Sequence, residues 1–249
     1  MAICILIYQS DFMKLFFTLF FIACIQIVSA QKVVDVSKEN VTIGSNNFYS
    51  VGGEPFVNLK FVSLVEGTPY FREKWMPANI IMPLGKEYKD IDVKLNLFDQ
   101  QLHYKGEKDA ELVATTPIKA IVITDPLSGT KYHFIHSSFI PVTTDQVGKK
   151  GWFQLLDSGK ANLYKTFTKE ISENRPYGSA TVEQKMRTTE TYLVYMNSTF
   201  LEIKKIKEAP KVLANKEKEL EEFLAKKDDK KASLDERMKA LIKFYNSLL

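Results

Sequence analysis

The sequence predicts a mainly β protein with α structure: an antiparallel sheet, rolled or sandwich-like, followed by a C-terminal α-helical hairpin. Three observations lead there. From Gln31 to Leu201, short runs rich in Val, Ile, Tyr, Phe and Thr are broken by Gly, Pro, Asn and Asp, the punctuation of strands and turns. Turn signals join successive runs with no helical pattern between them, which favours antiparallel neighbours over the crossovers a parallel sheet requires. From Glu202 to Leu249 nearly half the residues are charged and glycine is absent, as suits a helical tail. Over 249 residues, 45% hydrophobic and 12% aromatic, the chain can bury enough surface to fold, which excludes disordered and collagen-like classes.

The first element is read as a targeting segment. Lys14, an apolar run from Leu15 to Val28 and the small residues Val28-Ser29-Ala30 follow the order of a secretory signal, with cleavage expected between Ala30 and Gln31. Met13-Lys14 makes a better start than Met1. Two rival readings are an uncleaved membrane anchor and lipid attachment at Cys24. The run is shorter than the roughly 20 apolar residues of a membrane span, and Cys24 lacks the small residues and polar linker of a lipid-attachment site. Three segments result: 1–30 as signal, 31–201 as the β-rich domain and 202–249 as the charged helical segment. Cleavage would remove both cysteines, Cys4 and Cys24, leaving a periplasmic or secreted chain without disulfides, thiolate nucleophiles or thiolate metal sites. No transmembrane span would remain. With 34 Lys and Arg against 30 Asp and Glu, the surface is mixed and lacks the concentrated basic field of nucleic-acid binding.

The strands expected in order are Asn79 to Met82, Asp92 to Phe98, Gln101 to Lys105, Leu112 to Thr115, Lys119 to Thr124 and Lys131 to His136. Val93, Leu95 and Leu97 alternate with Asp92, Lys94 and Asn96, which makes that strand half buried. Asp99-Gln100 is a tight link, and Asp125-Pro126-Leu127-Ser128-Gly129 has the chemistry of a hairpin turn. Trp152 to Leu156 and Ala161 to Phe167 flank Asp157-Ser158-Gly159-Lys160, while Thr191 to Met196 and Thr199 to Ile206 flank Asn197-Ser198. The polar stretch from Glu170 to Arg187 reads as an exposed loop. In the tail, Lys211 to Lys226 forms one helix and Lys227 to Ala232 a turn. Leu234, Met238, Leu241, Ile242, Tyr245 and Leu248 then make one stripe of a second helix, opened by a Ser233 and Glu236 capping box.

Candidate chemistry is sparse. His103, His133 and His136 are the histidines; 133 and 136 point to opposite faces of a strand, and no zinc spacing occurs. His103 could approach one of the others across the sheet, with Asp92, Asp99 or Glu107 supplying oxygen to a metal, but the ligand spacing that would support this is lacking. Ser137-Ser138 lies beside His136, but no nucleophile elbow is present. A histidine within hydrogen-bond reach of either serine would favour a hydrolase. Glu66, Glu73 and Asp90 fall near Tyr70, Phe71, Trp75 and Tyr88, a mixture of acids and rings found in carbohydrate sites and in ordinary β cores. Gly52-Gly53 lacks the Lys-Ser/Thr of a phosphate loop, and no cofactor is implied. Lys204, Lys205, Lys207 and Lys211, interrupted by Glu202 and Glu208, read as a solvated basic face, with an anionic polymer or lipid head groups as the alternative, and Asn40-Val41-Thr42 and Asn197-Ser198-Thr199 match the glycosylation acceptor pattern. No catalytic or metal residue is assigned. Tyr70, Phe71, Trp75 and His103 are the ligand-surface candidates.

Gly67-Thr68-Pro69-Tyr70-Phe71 with Trp75, then Gly85 to Tyr88, Asp90-Ile91, Lys94-Leu95-Asn96-Leu97, Leu102 and Tyr104, resemble a family of exported β-rich proteins of Bacteroidetes bacteria. The C-terminal Tyr245-Asn246 is similar as well. The chain departs from that pattern at Lys94-Leu95-Asn96, where the family often has an aromatic before Asn, and at Leu84-Gly85, where Asp-Gly is common. The resemblance implies export and architecture and transfers no catalytic residue. The expected function is non-enzymatic binding or envelope organisation, with an envelope protein or a glycan as partner; the alternative is an envelope hydrolase acting on glycan or peptide. A Tyr70 to Trp75 loop packed as support would favour the first.

Overall fold

The computed structural model describes residues 53–55, 64–142, 150–175, 177, 182–226 and 231–249. The expected signal at 1–30, both cysteines, the Asn40 acceptor, Gly52 and residues 227–230 of the expected inter-helix turn lie outside them.

Strand formation follows the alternation of side chains. In β3 (Met76–Ile81) every second residue is buried, and in β4 (Glu87–Asn96) Ile91, Val93 and Leu95 turn inward while Asp92 and Lys94 turn outward. The remaining strands are β1 (Gly53–Pro55), β2 (Leu64–Glu66), β5 (Gln101–Lys105), β6 (Glu111–Ala114), β7 (Ala120–Thr124), β8 (Lys131–His136), β9 (Trp152–Asp157), β10 (Asn162–Asn174), β11 (Glu183–Met196) and β12 (Thr199–Ile203). Eleven strands follow one open hydrogen-bonded path, β1-β6-β5-β4-β3-β7-β8-β9-β10-β11-β12, antiparallel throughout. β2 makes the sheet mixed by pairing parallel with β11, where Lys185 reaches Glu66 at 2.9 Å.

The turns carry the chemistry their sequences require. Asp125 Oδ1 accepts the Leu127 N–H at 2.9 Å and Gly129 takes φ 68°, closing β7 onto β8. Asn197 and Ser198 both have positive φ, 51° and 58°, the backbone of a two-residue hairpin link between β11 and β12. At Gly151, φ is 128° and a Cβ would stand 2.0 Å from Gln100 Oε1, so only glycine lets Gln100 take the Trp152 N–H.

The ends of the expected loop from Glu170 to Arg187 are instead the outer part of a long β-ribbon, 170–174 in β10 and 183–187 in β11. β10 and β11 stay in register from Asn162↔Tyr195 out to Asn174↔Glu183. The ribbon extends beyond the core, so its residues need no apolar alternation; cross-strand pairs such as Glu170↔Arg187 and Ile171↔Met186 take its place. Those polar residues imitate a loop in sequence.

Two main cores result. One joins β3, β4, β5, β7 and β8 with Trp152 and the partly buried Phe71 and Phe167, so the sheet curls over its own residues. The other seats the helices on β10, β11 and β12 through Leu163, Tyr192, Val194 and Ile203. The helices are α1 (Ala209–Val212), α2 (Glu217–Lys226) and α3 (Leu234–Leu248). The single helix expected over Lys211 to Lys226 is broken at Leu213, whose ψ of 50° leaves the helical well, and a 3₁₀ turn at Ala214–Lys216 leads into α2. α3 starts on the expected capping box: Glu236 N–H donates to Ser233 Oγ and Ser233 N–H to Glu236 Oε2. Phe223 of α2 and Phe244 of α3 stack at 4.6 Å between ring centroids. No helix among the described residues is long and apolar enough to cross a membrane.

Asn246 fastens the end of α3 to the β9–β10 turn. Its Oδ1 accepts the Ala161 N–H at 2.7 Å and its Nδ2 donates to the Ala161 carbonyl at 2.9 Å. Ala161 is fully buried, so truncation strands two backbone groups away from water. Asn246→Ala is expected to lower unfolding stability by about 2 kcal/mol, measured by urea denaturation, whereas Asn246→Asp keeps the acceptor and loses about half as much. Equal stability of all three proteins would deny the staple its role.

Candidate functional site

The segment Pro69 to Phe71 straps the end of β4. Leu97 N–H donates to Pro69 O at 2.9 Å and Phe71 N–H to Leu95 O at 2.8 Å, with a bridge between Tyr70 and Asn96. A strand-like segment sends successive side chains to opposite faces, so Tyr70 and Phe71 part company. Phe71 enters the first core, with ring centroids of Tyr132 and Phe134 at 4.9 and 5.0 Å. It is a packing residue first.

Tyr70 turns to the polar face of β4, β5 and β6, where register brings Lys94 opposite His103 and Lys105 opposite Glu111. There it meets the other two candidates. The Tyr70 ring lies edge-on to His103 at 5.4 Å, and Trp75 is covered by Lys94 Nζ at 4.3 Å from its centroid and by Lys105 Nζ at 5.7 Å. Glu111 is the hub: its Oε1 binds His103 Nδ1 at 2.7 Å and accepts the Tyr70 hydroxyl at 3.3 Å, while Oε2 accepts Lys94 Nζ at 3.4 Å. A carboxylate only accepts, so Nδ1 of the neutral imidazole carries the proton.

Three of the four ligand-surface candidates thus converge, and they do so as a support. Both ammonium groups sit on the Trp75 ring where a sugar would have to stack, and His103 is fully buried. Among the described residues Asp92, Asp99 and Glu107 join His103 in no metal-holding group, and the carboxylate that does meet it is Glu111. Hairpin parity was the signal for it: with Lys105 opposite Glu111, His103 is its diagonal neighbour on the same face.

Burial pushes the His103 imidazole below its ordinary range, with Glu111 partly opposing the shift. Burial alone would raise Glu111, but the bonds from His103 and Lys94 outweigh it and hold the carboxyl below its usual value. Burial, then the Glu111 charge, pushes the Tyr70 phenol up. Both lowered groups make the fold acid-sensitive. Between pH 6.5 and the lower folded value, the unfolded chain binds a proton that native His103 refuses, so stability present above pH 6.5 is lost on acidification. His136, also lowered by burial, acts in the same sense, and Glu111 adds its loss as pH falls below 4.5. Unfolding free energy measured from pH 8 downwards should fall below pH 6.5 by about 1 kcal/mol per unit, and His103→Gln should remove that share, leaving the His136 part. An unchanged slope in the variant would place the sensitivity elsewhere.

On the inner side of the strap lies a cleft of about 460 Å³ between Thr68–Arg72 and the face of β8 to β11, closed at one end by Asp235 of α3. Lys165, Phe167 and Lys169 alternate along β10 and form its floor; Gln154, Thr188 and Tyr132 add polar groups. Lys165 Nζ bonds Asp235 Oδ2 at 2.7 Å and Glu190 Oε2 at 3.4 Å, and Tyr192 donates its hydroxyl to Asp235 Oδ1 at 2.6 Å. Burial alone would raise Asp235; its bonds from Lys165 and Tyr192 outweigh that and keep the carboxyl low. Lys169 Nζ donates to the Thr68 and Tyr70 carbonyls at 2.8 and 3.1 Å. The sequence does not single out Lys165, Lys169 or Asp235.

The remaining expectations are scattered. Glu66 is committed to Lys185, and Asp90 sits at φ 55° where β4 is irregular against β3. His136 Nδ1 does lie 2.7 Å from Ser138 Oγ, beside a second hollow shared with Trp152 and Thr116. The same nitrogen accepts the Ser138 N–H at 3.4 Å, so the imidazole caps a 3₁₀ turn with the nitrogen that a triad would direct to an acid. Among the described residues no group of three His, Cys, Asp or Glu could hold a metal ion. No family model, curated protein or solved structure matches this chain.

Proposed function

We propose that this is an exported, non-enzymatic binding protein of the cell envelope, periplasmic or secreted, that takes its ligand in the cleft over β10. One observation carries the reading: the cleft's inner charged groups are already committed to the fold. Lys165 is held by two carboxylates, Asp235 by Lys165 and Tyr192, and Lys169 by two carbonyls. Groups fixed in this way present donors and acceptors in a set geometry, which suits recognition. A glycosidase would need one carboxyl protonated beside the other, and the ammonium between Glu190 and Asp235 opposes that arrangement. The Tyr70 to Trp75 loop packed as support agrees with the binding reading, and the resemblance to exported Bacteroidetes proteins supports export.

Intact mass and fractionation of the native protein test it, followed by identification of what co-purifies after mild crosslinking. A mature chain beginning at Gln31 with a reproducible envelope protein or glycan supports the proposal. A lipid-sized increment on a chain beginning at Cys24 overturns the soluble placement.

The hydrolase reading keeps one observation, the His136–Ser138 contact. A fluorophosphonate that labels the protein at Ser138 and fails to label Ser138→Ala would favour it over binding.

A further inference from the structure

We infer that Arg72 and Lys169 form an anion anchor in this cleft, and that its ligand is an acidic oligosaccharide whose sugar carboxylate sits between them. The inference rests on the binding reading above and goes on to name the ligand class. Charge in the cleft is divided along β10. At the Lys165 end two carboxylates surround one ammonium. Lys169 lies four residues away on the same face, about 13 Å at ~3.3 Å per residue. There Arg72 joins it from the strap, and among the described residues neither forms an ion pair with a carboxylate.

Both cations are held in place without being neutralised. The Arg72 guanidinium lies over the Phe71 ring at 4.7 Å and near Tyr132 at 5.8 Å, which fixes its plane at the cleft wall. Lys169 spends two of its three N–H donors on the strap carbonyls, leaving a third for a ligand. Burial and the nearby Arg72 charge both lower the Lys169 ammonium, so an anion placed between them relieves a repulsion the fold retains. The rest of the lining selects the molecule that carries the anion. Thr188 and Gln154 offer hydroxyl and amide partners, and the Glu190 and Asp235 carboxylates offer acceptors, the polar set that suits the hydroxyls of a sugar; Phe167 and Tyr132 wall the cleft, already faced by Lys165 Nζ at 5.2 Å and by the Arg72 guanidinium at 5.8 Å.

The test is calorimetric titration of the purified protein with a uronic-acid trisaccharide and with its methyl ester, which keeps the hydroxyls and removes the charge. The acid is expected to bind at least about tenfold more tightly than the ester, since a charge-assisted bond to guanidinium is lost in the ester. Arg72→Gln, at an exposed position, should weaken the acid by about tenfold and leave the ester unchanged. Equal binding of acid and ester, both weakened by Thr188→Val with the fold intact by circular dichroism, overturns the anion anchor and leaves the binding cleft standing. Binding of neither overturns the acidic-oligosaccharide ligand, and the co-purification test then decides the binding reading.

Discussion

Asp235→Ala is expected to destabilise the protein by about 3 kcal/mol, the lower end for removing one partner of a buried ion pair. Lys165 has only 8% of its side chain exposed, and Asp235 supplies its shortest contact, 2.7 Å. Truncation leaves the ammonium facing Glu190 alone, at 3.4 Å and nearly half exposed, and leaves the Tyr192 hydroxyl without its acceptor. Glu190 is the reason the lower figure applies. For a chain of this size the loss corresponds to a fall in Tm of about 6 to 12 °C, checked by calorimetry. The double change Lys165→Met with Asp235→Leu should recover most of it, because an apolar pair needs no compensation for leaving water. If Asp235→Ala alone is neutral, the contact does not hold α3 to the sheet. The sign with pH is also fixed: Asp235 is lowered in the fold, so its stabilisation is present above pH 3.8 and disappears as pH falls through the folded value.

Tyr245→Ala, at the other end of α3, should cost about 4 kcal/mol. The side chain is completely buried among Leu163, Val194 and Leu213, so truncation removes a ring's worth of contact and opens a cavity beneath the helix. Tyr245→Phe separates the two contributions. It deletes only the hydroxyl, which donates to Asn215 Oδ1 at 2.9 Å, and should cost about 1 kcal/mol. Urea denaturation of the pair reads both numbers; similar losses for Ala and Phe would mean that the polar contact, not the ring, seats the helix.

The readable part of this fold was local. β5 and β8 stand where alternation and turn residues place them, and the Ser233 box starts α3 as expected, because each of those signals lies within a few neighbouring residues. The outer part of the β10 and β11 ribbon was hidden for the opposite reason, while its inner part lay within the expected runs Ala161 to Phe167 and Thr191 to Met196. Its strands are stabilised by cross-strand pairs such as Glu170 with Arg187, and those pairs leave no apolar period to detect. In the site, Tyr70, Trp75 and His103 were found as a group from their residue types, yet their task was not legible, since it depends on Glu111 arriving from another strand. Lys165 is the clearest case. A lysine in a strand reads as solvent-facing, and nothing nearby in sequence announces the aspartate 70 residues away that makes its burial tolerable.

The strand path also sets an order of folding. Most neighbours in the sheet are neighbours in the chain, so β3 with β4, β4 with β5, β7 with β8 and β10 with β11 each close a short loop early. The seam between β3 and β7 is different: Ile81 must find Ala120 across three intervening strands, and β2 must find β11 across most of the described chain. Those two seams, with β1 against β6, carry the high contact order of the described sheet. Hairpin formation should therefore precede sheet closure, with the cleft over β10 among the last features to assemble because its strap and its floor come from opposite sides of both seams.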